Sequence, residues 1–223
     1  MRESSEPAAR PAKSPVYDRV ASYYDRWMRP CERAGLARLR ARALAQVAPA
    51  LAATEGGGRL LEVGAGTGGN FRFYPEGASA ACVEPSREML MRAQGKPERP
   101  AGSLLVRAFA ERLPFADATF DAALATLVFC SVKSPTRGLS ELRRVVRAGG
   151  RVVLLEHVRP AGALGYAFDA LSLVTVPLME DHFNRRTLDE ARRAGLEVLK
   201  VENHLLGVVQ LIVCRVGRET THD

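Results

Sequence analysis

The chain has 223 residues, and 47% of its side chains are apolar. This length is enough to bury one α/β core and favours one domain over two. The chain's net charge of +7 comes mostly from arginine, but the arginines are not interleaved with aromatic residues on one element, which disfavours nucleic acid as a partner. No apolar run reaches the length of about 18 residues that a membrane span needs. Four scattered cysteines and four histidines predict no metal site.

The N-terminal stretch over 1–15 is polar and rich in proline, alanine and charge, and it lacks the apolar core of a signal peptide. We therefore expect a disordered tail here and a cytoplasmic protein. The cysteines agree with a reducing compartment, because they form no closely spaced pair. A second short tail is expected over 217–223.

Helical periodicity begins near Pro15 and continues to Leu51, with a break at Pro30, until the glycines at 56–58 end it. It predicts an N-terminal helical segment over 16–55. Arginine is densest on this segment, where it forms either a solvated face or a contact surface for an anionic membrane. The members of this run are Arg29, Arg33, Arg38, Arg40 and Arg42.

Short apolar runs then alternate with helical segments, which is typical of an α/β fold with a doubly wound parallel sheet. The runs are 59–63, 79–84, 103–108, 120–129 and 151–158, with helices at 86–94 and 135–147, the second closed by Gly149-Gly150. After a helix over 187–194, the runs 196–202 and 207–216 are joined by too few residues for a parallel crossover. The prediction is a Rossmann-like, seven-stranded sheet in a domain over 56–216, mostly parallel and closed by a C-terminal antiparallel hairpin.

The sharpest local signal is a glycine loop between the first strand and a helix, EVGAGTGGN at 62–70. Glycines let the backbone turn tightly and approach a ligand closely. By spacing alone the loop fits a dinucleotide or S-adenosylmethionine (SAM), and Glu84, twenty residues after Gly64, suits the ribose of either. The acid at Glu62, the C-terminal hairpin and the absence of a YxxxK pair favour SAM.

Several further motifs stand in order along the chain: VYDRVASYYD at 16–25, LLEVGAGTG at 60–68, AERLPFADATFD at 110–121 and LRRVVRAGGRVVLLEH at 142–157. Together they resemble the class I SAM-dependent methyltransferases of the type 11 group, which includes quinone-biosynthesis enzymes. The resemblance covers residues 16–215. Within that group, GTGGNFRFYP at 66–75 and TLVFCSVKSP at 126–135 are most similar to thiol S-methyltransferase-like proteins.

The resemblance implies a cofactor site assembled from several segments. The implied methionine-binding loop consists of Glu62, Gly64, Gly66 and Gly68, beneath a helical lid that contributes Tyr17 and Tyr24. The implied nucleoside contacts are Glu84 for the ribose, Pro85 and Met89 around the adenine, Ala110 and Glu111 at the adenine edge, and Thr126 and Leu127 facing the sulfonium. Many members have Asp before the alanine where this chain has Phe109, so adenine recognition is expected to rely on backbone groups and stacking.

His157 ends the fifth strand at the functional edge of the sheet, and it is the candidate catalytic base, although a partner for loop carbonyls fits equally well. The apolar stretch over 158–186 is expected to cap an acceptor pocket. A free thiol has a pKa near about 8.5, so a thiol acceptor needs no strong base. We predict methyl transfer from SAM to a small apolar or amphiphilic molecule, with thiol S-methylation favoured. The alternatives are phospholipid N-methylation at a membrane surface, quinone C-methylation and a SAM-binding partner subunit without activity.

Overall fold

The computed structural model describes residues 17–54, 57–160, 162, 165–166, 168–170, 172–173, 182 and 185–217. The helices with described bounds are α1 (Tyr17–Cys31), α2 (Ala37–Ala52), α3 (Arg87–Gln94), α4 (Pro135–Val145) and α5 (Thr187–Arg193). The strands are β1 (Arg59–Val63), β2 (Ser79–Val83), β3 (Leu104–Val106), β4 (Phe120–Thr126), β5 (Val146–His157), β6 (Leu196–His204) and β7 (Val209–Val216). The predicted tails and most of the stretch over 158–186 lie outside the described residues.

The seven strands form one sheet in the order β3-β2-β1-β4-β5-β7-β6. β1 to β5 run parallel to one another, whereas β7 is antiparallel to both β5 and β6. The four residues between β6 and β7 are enough for a hairpin and too few for a crossover. The predicted Rossmann-like sheet with a C-terminal antiparallel hairpin is therefore confirmed.

Helices cover both faces of the sheet and bury a separate apolar layer on each. Side chains alternate between the faces along a strand, so Leu60 packs with Leu44 and Val47 of α2. On the other face, Leu61 lies in one cluster with Leu139 of α4, together with residues of α5. In the described part of the chain, no helix has the length and apolar composition to cross a bilayer.

The N-terminal helical segment changes direction at Gly35, so the prediction of a break at Pro30 is wrong. Pro30 lies within α1, which continues through it to Cys31. Gly35 adopts φ 130° within a π-helical stretch over Glu32–Leu36, a conformation that side chains with a Cβ disfavour. The turn separates α2, which packs on the sheet, from α1, which contacts α3 at the edge of the site.

β4 ends earlier than predicted, and β5 begins earlier than predicted. β4 ends at Thr126 rather than continuing to residue 129, since Leu127 has φ 58°. α4 ends at Val145 and β5 begins directly, so Gly149 (φ 80°) lies in the first, irregular part of the strand and does not cap the helix.

Candidate active site

A cavity of about 300 Å³ lies beneath α1 at the carboxyl ends of β1, β2 and β4. This edge of an open parallel sheet is where such folds bind nucleotides. All the predicted cofactor positions except Glu62 and Gly68 line the cavity. The predicted residues on its wall are Tyr17, Tyr24, Gly64, Gly66, Glu84, Pro85, Met89, Ala110, Glu111, Thr126 and Leu127.

The glycine loop packs closely against a neighbouring side chain at Gly64 and faces open space at Gly66. Gly64 has φ 71°, and a Cβ there would lie 2.2 Å from Cγ2 of Val128, so the loop packs against the segment after β4. Gly66 has φ 55° and would meet nothing within 4 Å. A missing side chain beside open space leaves room for a ligand to touch the backbone.

Glu84 directs a buried carboxylate to the cavity, although backbone amides already hold both of its oxygens. Oε2 accepts a hydrogen bond from Gly66 at 3.0 Å, and Oε1 accepts one from Ser86 at 2.9 Å. Each carboxylate oxygen has a second lone pair, so both can also accept from a vicinal diol. Burial raises the pKa of Glu84 to about 7, and the two amides only partly oppose that shift.

Glu62 lies behind the glycine loop rather than on the cavity wall. Its side chain is buried, and it accepts hydrogen bonds from Nδ2 of Asn70 at 2.6 Å and from the hydroxyl of Tyr74. Burial raises the pKa of this carboxyl, while Tyr74, Asn70 and the nearby Arg40 lower it. In this position Glu62 holds Asn70 at the end of the loop and Tyr74 beyond it, and its direct contact with a cofactor stays a prediction.

Arg40 is buried beneath the cavity, although sequence reasoning assigned it to a solvated or membrane-facing run. Its Nη1 donates to Oδ1 of Asn70 at 3.0 Å and to Oγ1 of Thr126 at 2.7 Å. Its Nε donates to Glu32 at 2.8 Å. One guanidinium thus joins α2, the glycine loop and the end of β4, and it also lines the cavity.

The segment after β4 is fixed by a second buried acid that sequence reasoning missed. Glu156 of β5 accepts hydrogen bonds from the backbone amides of Val128 and Phe129, each at 3.1 Å. Leu127, with φ 58°, donates its amide to Leu155 at 2.7 Å. An acid inside the apolar run RVVLLEHV was the available signal, because a buried carboxylate must find donors.

Four polar contacts hold α1 over the cavity. The hydroxyls of Tyr17 and Ser131 lie 3.0 Å apart, and Asp18 accepts from the hydroxyl of Ser86. Asp25 accepts from Thr67 of the glycine loop at 2.5 Å and pairs with Lys96 at 2.8 Å. We name this set of contacts the lid latch; sequence reasoning had singled out only the aromatic residues of this helix.

The side of the cavity where the sequence predicts adenine contacts is formed by Pro85, Met89 and the turn that begins at Phe109. Phe109 lines the cavity and is 45% exposed, which leaves an aromatic face available for stacking. Glu111 accepts from the amides of Lys133 and the following residue at 3.1 and 3.2 Å, so it also ties this turn to the start of α4.

His157 ends β5 opposite Val209 and is half-buried. Among the described residues, it does not line the cavity. The backbone amide of His182 donates to the carbonyl of Cys130 at 3.0 Å, so this residue of the predicted pocket cap contacts the segment after β4. A role for His157 as a base stays a prediction. The described residues contain no cluster of metal ligands.

The residues present fit SAM on several observations. A diol acceptor at Glu84, an open glycine backbone at Gly66 and a guanidinium at Arg40 supply partners for a ribose and for a carboxylate-bearing end. Aromatic and apolar side chains line the adenine side. The arrangement therefore suits a zwitterionic nucleoside whose reactive centre lies near the end of β4.

Comparison with known proteins points to the same group. A family described as a methyltransferase domain matches residues 61–154. A thiol S-methyltransferase of Mus musculus is 33% identical over 159 residues, which are 68% of this chain and 65% of that protein. A phosphatidylethanolamine N-methyltransferase of Cereibacter sphaeroides is 39% identical over 121 residues, or 52% of this chain and 59% of that protein.

A solved structure supports the fold as well. A SAM-dependent methyltransferase from Thermotoga maritima matches with a TM-score of 0.62 at 25% identity, covering 90% of this chain and 98% of that one. The present chain spans less than two thirds of the length of the mouse and Cereibacter proteins. With its sheet order, glycine loop and cavity, the chain belongs to the class I SAM-dependent methyltransferases.

Proposed function

We propose that this chain transfers the methyl group of SAM to the thiol of a small apolar molecule. The observation that carries the thiol is the composition of the cavity where β4 ends. Along the end of β4 and the segment that follows it, the described residues that line the cavity carry no carboxylate or imidazole; they are Thr126, Leu127, Val128, Ser131, Val132 and Lys133. A thiol with a pKa near about 8.5 is roughly 3% ionised at pH 7, so it can react there without a strong base.

When bound, SAM supplies a methyl group on a sulfonium sulfur, which is already an activated leaving group. The task left to this chain is alignment, a term worth up to about 7–11 kcal/mol. In the proposal, Glu84 accepts the ribose hydroxyls, Arg40 faces the carboxylate of the methionine end, and Tyr17 and Tyr24 cover the nucleoside. Thr126 is held by Arg40 and lines the wall nearest the acceptor.

The similarity to the mouse thiol S-methyltransferase favours the same acceptor class. The proposal is tested by incubating the protein with labelled SAM and separate thiol, quinol and phosphatidylethanolamine acceptors. Label in a thioether supports it. Label only in a quinol or an amine contradicts the thiol and leaves methyl transfer standing. SAM binding without any labelled product would favour a partner subunit.

A second candidate is phospholipid N-methylation, which two observations favour. One is the similarity to the Cereibacter enzyme. The other is the outer face of α1, where Tyr23 and Trp27 are 55% and 57% exposed and Arg19 and Arg26 are exposed as well. Aromatic and basic residues together suit an anionic lipid surface. Salt-dependent cosedimentation with anionic vesicles distinguishes this candidate, since a soluble thiol enzyme stays in the supernatant.

The proposed location is the cytoplasm. All four cysteines are free thiols, and Cys82, Cys130 and Cys214 are buried. Free thiols persist in a reducing compartment. Labelling of intact cells with the tagged protein, followed by fractionation, tests the location directly.

A further inference from the structure

A second concave site adjoins the cofactor cavity on the side of the glycine loop. This basic cleft has a volume of about 440 Å³ and lies between α1, the π-helical turn and the residues around α3. It shares Tyr24, Arg40 and Gly69 with the cofactor cavity. The residues that line only the cleft are Asp25, Met28, Arg29, Glu32, Arg33, Gly68, Arg72, Lys96 and Glu98.

Five basic and three acidic side chains line the basic cleft, so positive charge is in excess. Two of the acids already have partners within the protein. Asp25 is held by Lys96 at 2.8 Å, and Glu32 is held by Arg40 at 2.8 Å. Arg72 reaches Glu32 only at 3.5 Å, and it is half-exposed.

Arg29 and Arg33 are the basic residues of the cleft that take no part in these ion pairs. Among the described residues neither forms an ion pair, and both are exposed to solvent along the cleft. They lie four residues apart on one helical segment, a spacing at which like charges repel. Together with Arg72, which lines the same cleft, these two guanidinium groups form a site that an oxyanion would neutralise.

We propose that the basic cleft binds an oxyanion, a phosphate or carboxylate group carried by a small-molecule ligand. Guanidinium groups bind such groups with two parallel hydrogen bonds, which matches the two arginines left without ion pairs. The oxyanion is either free phosphate or an acidic group on the methyl acceptor. The second source rests on the proposed function, whereas the first is independent of it.

The free anion is tested by titrating inorganic phosphate into protein saturated with S-adenosylhomocysteine, the demethylated product, at constant ionic strength. The double variant Arg29→Gln/Arg33→Gln should lose phosphate affinity at least tenfold. The matched control, Arg19→Gln/Arg26→Gln, removes the same charge from the outer face of α1 and should bind phosphate as the parent does. Equal affinity for S-adenosylhomocysteine in all three proteins shows that the fold is retained.

The acceptor source is tested by comparing an alkanethiol with the thiol of the same length that ends in a phosphate or carboxylate. A lower KM for the acidic thiol, lost only with Arg29 and Arg33 replaced, assigns the oxyanion to the acceptor. If phosphate binds but the acidic thiol has no lower KM, the oxyanion is a free anion. That conclusion holds even if no thiol is methylated. Neither effect, or equal losses in the control variant, overturns the proposal.

Discussion

Arg40 and Thr126 lie 86 residues apart in the chain and are joined by a 2.7 Å hydrogen bond beneath the cofactor cavity. The same guanidinium bonds Asn70 and Glu32, so four separate segments depend on one buried side chain. Thr126 ends β4, and its hydroxyl oxygen accepts from both Arg40 of α2 and Asn70 of the glycine loop. This relationship links the N-terminal helices to the wall of the cavity where methyl transfer is proposed.

Replacing Arg40 with lysine should weaken both folding and cofactor binding. Lysine keeps the charge but cannot reach Glu32, Asn70 and Thr126 in the same geometry. Losing one or two charge-assisted hydrogen bonds should cost about 1.5–3 kcal/mol of unfolding free energy, with SAM affinity falling roughly tenfold. Urea unfolding and calorimetry measure both quantities.

Arg42 is the control for that substitution, because it lies on the same helix and pairs with Glu202 at the surface. Its side chain is 52% exposed, so Arg42→Lys should destabilise the fold much less than Arg40→Lys and leave SAM affinity unchanged. Equal effects of the two variants would contradict the buried role of Arg40.

SAM affinity should rise with pH through neutrality because Glu84 ionises there. Burial raises its pKa from 4.5 to about 7, and the ionised carboxylate is the better acceptor for two ribose hydroxyls. If only that form binds, affinity rises up to roughly tenfold between pH 6 and pH 8. Folding responds in the opposite sense: the folded pKa lies above the unfolded one, so this group's contribution to stability falls as pH rises from 4.5 to about 7.

Calorimetry from pH 6 to pH 8 checks the Glu84 prediction. Glu84→Gln is the matched variant, since a neutral amide of the same size should bind weakly and without the pH slope. A parent protein whose affinity does not change across this range would remove Glu84 from ribose binding.

Loosening the lid latch should speed release of the cofactor more than it weakens the fold. Asp25→Asn removes the charge that Lys96 pairs with and weakens the hydrogen bond from Thr67. The side chain of Asp25 is 49% exposed, so we expect only a threefold to tenfold increase, or roughly 0.5–1.5 kcal/mol, in the dissociation rate of S-adenosylhomocysteine. Stopped-flow displacement measures it. Asp117→Asn removes an exposed ion pair with Arg144 that lies away from the cavity, so it should leave this dissociation rate unchanged.

The fold followed from the sequence because its signals are periodic and local. Alternating apolar runs gave the parallel strands, and the short connection between the last two runs required the hairpin. Bounds failed where tertiary contacts decide them. β4 stops at Thr126 because Glu156, thirty residues later, accepts hydrogen bonds from the amides of Val128 and Phe129. No local sequence pattern encodes that contact.

The candidate site followed from the sequence where a motif is contiguous, and not where distant segments meet. The glycine loop and Glu84 could be assigned from spacing, and both contribute to the cavity. Arg40 was missed because it was grouped with its arginine neighbours. Its helical spacing from the buried residues Leu36 and Leu44 was the better signal, since a charge within an apolar stripe must be paired.

The hypothesis that His157 is the base predicts that His157→Ala lowers the rate with a thiol acceptor at pH 7 and leaves it nearly unchanged at pH 9. The base-free reaction of the proposed function predicts no loss at either pH, since His157 is not among the described residues that line the cavity. At pH 9 the free thiol is mostly ionised, so a base has little left to do. His204 is the control, because it also lies opposite Val209, on the other neighbouring strand. Steady-state rates for His157→Ala and His204→Ala across this pH range test the assignment. Equal losses at both pH values would indicate a structural role for His157.

The most direct test of the account uses SAM with a deuterated methyl group and a series of linear alkanethiols, with products identified by mass spectrometry. The account predicts one deuterated methyl thioether for each S-adenosylhomocysteine formed. It also predicts that kcat/KM rises roughly threefold or more for each added carbon until the pocket fills, because each buried methylene adds about 0.8 kcal/mol. The absence of a deuterated thioether from every alkanethiol, while a quinol or a lipid amine supplied in a parallel reaction is labelled, would contradict it.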